Sequence, residues 1–230
     1  GEQRGVASAI CGLAAGSDEK ILVFTRFRRA ARGVFEALRD EMGHRDRLAL
    51  VTGDGARATG LGRCSIEEVL RRFAPRSYGN EMLPAHQQLR VVVGTDCLSE
   101  GVNLQDCGRV VLADLPYSAL VVEQRIGRVV RPGSPHDTVR VFLPRPANWR
   151  DTLGLRRRLR RKFGHAELSG AGFTAAAEIL EGEAERCEES AEPAEVAALG
   201  VGTSRRSGGA ASLGKGDEEE GVGAVVGPER

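Results

Sequence analysis

Between Lys20 and Leu143 the chain alternates short apolar runs rich in β-branched residues with longer amphipathic stretches, and this rhythm constrains the fold more than any other feature of the sequence. Ile21–Thr25, Leu48–Thr52, Arg90–Gly94, Arg109–Ala113 and Thr138–Leu143 are near-continuous runs of the kind that strands buried on both faces require. Between them, residues 28–42 place Val34, Phe35, Leu38 and Met42 on one stripe and stop at Gly43. Ser65 and Glu68 stand at the spacing of a capping box opening a helix to Phe73, and a third helix is expected over about residues 118–130. Such β-α units feed a parallel sheet flanked by helices, an α/β architecture. Residues 53–62 and 75–88 are polar and rich in Gly or Pro, so both are expected as loops.

At 230 residues the chain has room for one domain and some excess, on a prior of roughly 100 to 200 residues per domain. No stretch approaches the about 18 uncharged apolar residues of a membrane span, and the first residues lack the basic and apolar regions of a secretory signal. No membrane partner is expected, and the cytoplasm is the expected address. Cys11, Cys64, Cys97, Cys107 and Cys187 are scattered without a C-x-x-C pair, and His44, His86, His136 and His165 fall in four separate neighbourhoods. Free thiols and no protein-ligated metal are expected.

The net charge of +1 hides an asymmetry: residues 165–230 hold 14 acidic and five basic side chains, whereas the first 164 hold 18 and 28. A basic front can draw nucleic acid through counterion release or simply aid solubility. Its densest part, residues 150–162 (RDTLGLRRRLRRK), suits a basic helix whose leucines anchor one side, facing either solvent or a phosphate backbone. Beyond about residue 165, Gly, Ala, Glu and Ser dominate; this composition predicts a largely disordered acidic tail with one marginal helix at residues 174–186.

Two segments carry candidate chemistry. GTDCLSEGVNLQ (residues 94–105) follows the third buried strand, and ligands of a parallel sheet meet the carboxyl ends of its strands. Thr95, Asp96, Ser99 and Glu100 stand there, Gly94 and Gly101 permit close backbone approach, and Asn103 can bond a sugar or purine; an ordinary βα turn would use the same residue types. QRIGRVVRPG (residues 124–133) spaces Gln124, Arg128 and Arg131 at i, i+4 and i+7, a single face of a helix. Two guanidiniums held together suit an anionic phosphoryl group, although an isolated helix also displays arginines merely to water.

In order and spacing, residues 20–27 (KILVFTRF), residues 95–105, Asp114-Leu-Pro and residues 124–133 resemble the C-terminal motifs of superfamily 2 helicases. The look is nearest to Swi/Snf-related ATPases of the bacterial RNA-polymerase-associated type, over about residues 18–143, with departures at Val130, Pro132 and Ser134. The resemblance implies a RecA-like second lobe of P-loop NTPase type at residues 17–146. It would be preceded by the end of an inter-lobe helix or linker (1–16) and followed by the basic helix (147–164) and the acidic tail (165–230). It further implies that Thr25, Thr52, Gly53 and Thr95 touch a nucleic-acid backbone, that Glu100, Gly101 and Asn103 border ATP, and that Gln124, Arg128 and Arg131 reach its γ-phosphate. Arg125 points elsewhere and reads as structural.

Neither a Gly-Lys-Ser nor a Gly-Lys-Thr occurs in the chain, and no DExH or DEAD-type box is present, so the phosphate cradle and the carboxylates for Mg2+ are expected from an upstream RecA-like lobe in cis or trans. The reading is half of an ATP-dependent DNA or RNA helicase or translocase, inactive alone and of undetermined oligomeric state. Its rival is a degenerate lobe that only binds nucleic acid or protein.

Overall fold

The computed structural model describes residues 2–43, 47–98, 101–114, 119–131, 133–144, 196–202 and 223–224. Five parallel strands form the centre of one sheet: β1 (Ile21–Phe24), β2 (Leu48–Thr52), β5 (Val91–Gly94), β6 (Arg109–Leu112) and β7 (Thr138–Pro144), in the order β2-β5-β1-β6-β7. Each expected apolar run is thus a strand, to within a residue or two at its ends. β1, β2, β5 and β6 are buried at every position, because helices cover both faces.

Alternation along the strands divides the core in two. On one face Ile21, Val23, Leu48, Leu50, Val91, Val93 and Val111 pack against α1 (Glu2–Ala15) and α2 (Arg28–Met42). On the other, Leu22, Phe24, Ala49, Val51, Val92, Val110 and Leu112 meet α3 (Ile66–Phe73) and α4 (Ala119–Ile126). The segment expected to end an inter-lobe helix is α1, which buries Val6, Ala7, Ile10 and Ala14 and forms a layer of the lobe itself. Its connection to β1 is pinned by Arg109, whose Nη1 donates to Leu13 O at 2.7 Å and Nε to Glu19 at 2.5 Å.

The helix signals act as their chemistry dictates. Ser65 Oγ accepts from Glu68 N at 3.0 Å, and Glu67 and Glu68 in the first turn pair with Arg71 and Arg72 in the last, at 3.1 and 2.5 Å. α2 ends at Gly43, whose N–H donates to Arg39 O at 3.1 Å.

Three expectations need amendment. Residues 53–62 are not simply a loop: β3 (Gly55–Ala58) pairs antiparallel with β2 and with β4 (Gly62–Cys64), extending the sheet edge. Ala56 and Ala58 are buried while Gly55 and Arg57 are exposed, a period of two written in residues too small to give an apolar signal. Secondly, the stretch read as an acidic tail contributes β8 (Val196–Gly202), antiparallel to β7, and β9 (Gly223–Ala224) beside it. The remainder of residues 145–230, including the basic helix and the marginal helix at 174–186, lies outside the described residues. Thirdly, α4 ends at Ile126, and residues 127–130 continue as turns. Residues 75–88 form the expected long connection, with one 3-10 turn at Ala85–Gln87. Among the described residues no helix is long and apolar enough to cross a membrane.

Candidate functional site

Three threonines lie side by side at the carboxyl ends of adjacent strands. Phe24 and Val51 both register with Gly94, so the residues that follow them, Thr25 and Thr52, flank Thr95. Thr25 N donates to Gly94 O at 2.9 Å and Thr95 N to Val51 O at 3.2 Å. All three side chains are buried, and their hydroxyls have local partners. Thr25 Oγ1 donates to Phe27 O at 3.0 Å, Thr52 Oγ1 accepts from Asp54 N at 3.4 Å, and Thr95 Oγ1 lies 3.3 Å from Cys97 Sγ. Gly53 is exposed in the turn beside Thr52.

The candidate segment over residues 94–105 continues from this edge. Thr95 leads into a 3-10 turn over Asp96–Leu98, Glu100 and Ser99 lie outside the described residues, and Gly101 takes φ 65°, a left-handed conformation that favours glycine. Asn103 N donates to Tyr78 Oη at 3.3 Å, and Asn103 Oδ1 accepts from Gln105 N at 3.4 Å, an Asx turn that orients the segment. Asp106 then holds the 75–80 connection, accepting from Arg76 N at 2.8 Å, Ser77 N at 3.1 Å and Ser77 Oγ at 2.5 Å.

The arginine segment docks directly on this loop. Leu104 N donates to Arg128 O at 2.9 Å, Gln105 Nε2 to Gly133 O at 3.4 Å, and Ser134 Oγ to Gln105 O at 3.1 Å. Gln124 is exposed on α4, whereas Arg128 and Arg131 are half-buried on the turns beyond it. The three therefore do not share one helical stripe as their spacing suggested; the turn after Ile126 and its bonds to residues 104–105 set where the arginines stand. Arg131 Nε donates to Gly127 O at 3.0 Å at the end of α4, while Arg128 Nε is buried without a hydrogen-bond partner.

Arg125 proves to be the hub of the edge. Its side chain is 0% exposed, its Nε donates to Asp96 Oδ1 at 2.8 Å, its Nη1 lies 3.6 Å from Asp114 Oδ1, and its guanidinium stands 5.3 Å from the centre of the Phe24 ring. Asp114 in turn accepts from Arg26 N at 2.5 Å. One guanidinium thus ties together the ends of β1, β5 and β6 and the helix α4. Sequence reasoning set Arg125 apart as structural but had no signal for this role, because its partners are 29 and 11 positions away in the chain.

The chemistry of the donor set can be tested against ATP and Mg2+. Two arginines, one with an orphaned buried Nε, and an exposed amide side chain fit an anionic phosphoryl group. Among the described residues no group of three or more His, Cys, Asp or Glu could hold a metal ion, so Mg2+ has no ligand set there.

The helicase conserved C-terminal domain model matches residues 5–133, more than half of the chain and every element from α1 to the arginine segment. The chain belongs to the helicase conserved C-terminal domain family. The uncharacterized ATP-dependent helicase YqhH of Bacillus subtilis (strain 168) is 40% identical over 50 residues, which are 22% of this chain and 9% of that protein. The mitochondrial ATP-dependent RNA helicase MRH4 of Debaryomyces hansenii is 29% identical over 137 residues, 57% of this chain and 21% of its own. The chain therefore spans about a tenth and about a fifth of these two curated relatives. Among solved structures, a DEAD box protein from the hyperthermophile Methanococcus jannaschii matches 53% of this chain and 28% of its own, at 22% identity and a TM-score of 0.36.

Proposed function

We propose that the chain is the C-terminal lobe of an ATP-dependent nucleic-acid helicase or translocase, of the Swi/Snf-related kind that its motifs resemble. It would work with a second RecA-like lobe, in cis or trans, that carries the phosphate-binding loop and holds Mg2+. The bond between Leu104 N and Arg128 O, at 2.9 Å, is the observation that carries this reading. It couples the loop leaving the Thr95 strand end to the residue best suited to a phosphoryl group. In the proposal, Arg128 and Arg131, with Gln124 beside them, meet the γ-phosphate of ATP bound on the other lobe and stabilise the charge that develops as it is transferred. Gly101, Asn103 and Glu100 border the nucleotide, and the edge formed by Thr25, Thr52, Gly53 and Thr95 faces DNA or RNA. Because the two segments are bonded to one another, a displacement of the arginines on lobe closure is carried to the strand end within one rigid piece.

ATP supplies the driving reaction, but the phosphate cradle is absent from this sequence, so the isolated chain is proposed to be inactive. The test joins the chain to a lobe bearing a GK[ST] loop and measures ATP hydrolysis with and without nucleic acid. Stimulated hydrolysis that collapses in Arg128→Ala is expected, by as much as about three to five orders of magnitude in the strongest known cases of such arginines. Wild-type turnover in that variant would overturn the assignment of Arg128.

A further inference from the structure

Phe27 is an exposed aromatic ring on an edge whose threonine side chains are closed. Its relative exposure is 61%, whereas Thr25, Thr52 and Thr95 beside it are exposed by 1%, 3% and 6%. The threonine hydroxyls are engaged within the loop, so what a ligand would meet at the end of β1 is the Phe27 ring. A free aromatic face on a mobile loop would mean little, but this one stands on a fixed backbone. Phe27 O accepts from Thr25 Oγ1 and from Ala31 N, both at 3.0 Å; Arg26 N is held by Asp114; and Arg28 pairs with Asp54, which also pairs with Arg32 at 2.9 Å. The residues on either side are thus anchored to two neighbouring loops, while the ring has the Arg26 guanidinium over it and otherwise stays largely exposed.

The surroundings are cationic. Residues 26–32 read RFRRAAR, four arginines without an acid, and Asp54 offsets only part of that charge. The Arg26 guanidinium lies 5.3 Å from the ring centroid, a planar cation set against an aromatic face. A rigid aromatic with a guanidinium beside it and positive charge around it matches the chemistry that holds unpaired bases: the ring stacks on a base, and the arginines follow the phosphates. A paired base has both faces covered within its own helix and cannot stack in this way.

We propose that Phe27 is a stacking platform for an unpaired base of single-stranded nucleic acid, with Arg26 and its neighbouring arginines on the adjoining phosphates. This deepens the nucleic-acid reading above and rests on it. The platform gives the edge its affinity for single strands, while the buried threonines shape the loop that presents it.

The test measures binding of the chain to a short fluorescein-labelled oligothymidylate, to the matching oligouridylate and to a duplex of similar charge, over a series of salt concentrations. Phe27→Ala is expected to weaken binding of both single strands about 5- to 150-fold, the range that loss of one base–aromatic stack corresponds to. The slope of log affinity against log salt and the affinity for duplex should stay unchanged, because no charge is removed. Phe27→Tyr should bind as the wild type does, and Arg26→Ala should reduce the salt slope. Single-strand affinity in Phe27→Ala within twofold of wild type, with its urea unfolding intact, would overturn the platform alone and leave the ring to a protein contact; equal losses on duplex would do the same. A wild-type chain that binds no oligonucleotide at low salt would remove the nucleic-acid reading and the platform with it.

Discussion

The Nε of Arg125 donates to Asp96 Oδ1 across 2.8 Å, and this bond fastens the helix bearing Gln124 to the loop bearing Thr95. Arg125 is fully buried, while Asp96 and Asp114 keep 46% and 32% of their side-chain surface. Removing the cation therefore leaves two carboxylates that can still reach water, which puts the cost at the low end for a broken buried pair. Arg125→Met should lose about 3 kcal/mol of stability, read from urea unfolding. Arg125→Lys should recover only part of this, since an ammonium cannot fork toward both carboxylates. A wild-type midpoint in Arg125→Met would show that the hub contributes nothing to stability.

Arg128 shares with Arg125 a guanidinium that the fold leaves partly unsatisfied. Its Nε is buried with no hydrogen-bond partner, so the folded lobe bears a desolvated donor that a phosphoryl group could satisfy. Arg128→Met should leave the unfolding free energy of the chain unchanged or raise it by up to about 1 kcal/mol, while abolishing ATP turnover in the joined protein. Arg131→Met, which loses the bond to Gly127 O, should be the less stable of the two. Calorimetric melting of both variants checks the order.

Two glycines near the candidate site should differ in what they tolerate. A Cβ on Gly94 would lie 2.3 Å from Leu98 Cδ1, and Leu98 is wholly buried with little room to yield. Gly94→Ala should cost about 1 to 3 kcal/mol through overpacking. A Cβ on Gly101 meets nothing within 4 Å, so Gly101→Ala bears only the backbone penalty of its φ of 65°, about 1 kcal/mol. Chemical denaturation of the pair measures the difference; equal costs would contradict the packing at Leu98.

Lys20 and Cys107, at the far end of the sheet, give stability a signed dependence on pH. Burial lowers the Lys20 ammonium from its ordinary 10.5 to about 8, against the opposing pull of Asp106, and burial pushes the Cys107 thiol from 9.0 up to about 12. Between pH 8 and 10.5 the unfolded chain holds the lysine proton that the folded chain has released, so this group's contribution rises with pH and is lost as pH falls through 8. Between pH 9 and 12 the folded chain keeps the thiol proton that the unfolded chain has lost, so that contribution falls with pH. Stability should climb from pH 8 to 9 and decline above 10.5, and Lys20→Met should retain only the decline. Urea midpoints across this range test both limbs.

Much of the fold was legible because parallel strands covered on both faces must be apolar at every position, as in ILVF at residues 21–24 and VVVG at residues 91–94. Ser65 and Gly43 marked helix ends through local bonds that need no tertiary partner. The β3–β4 hairpin was missed because its buried alternation is written in alanines, and β8 because its partner β7 is more than 50 residues away.

The sequence alone determined the α/β order and the strand ends at which Thr25, Thr52 and Thr95 stand, because each follows from periodicity or short-range spacing. Tertiary structure decided that the helix before Arg128 and Arg131 stops at Ile126, that Arg125 on that helix is the buried tie to three strand ends, and that Phe27 rather than the threonines faces outward. These outcomes depend on which distant carboxylates and carbonyls a side chain meets once the sheet has closed. Hydrogen bonding and burial at that range leave no periodic trace in the chain.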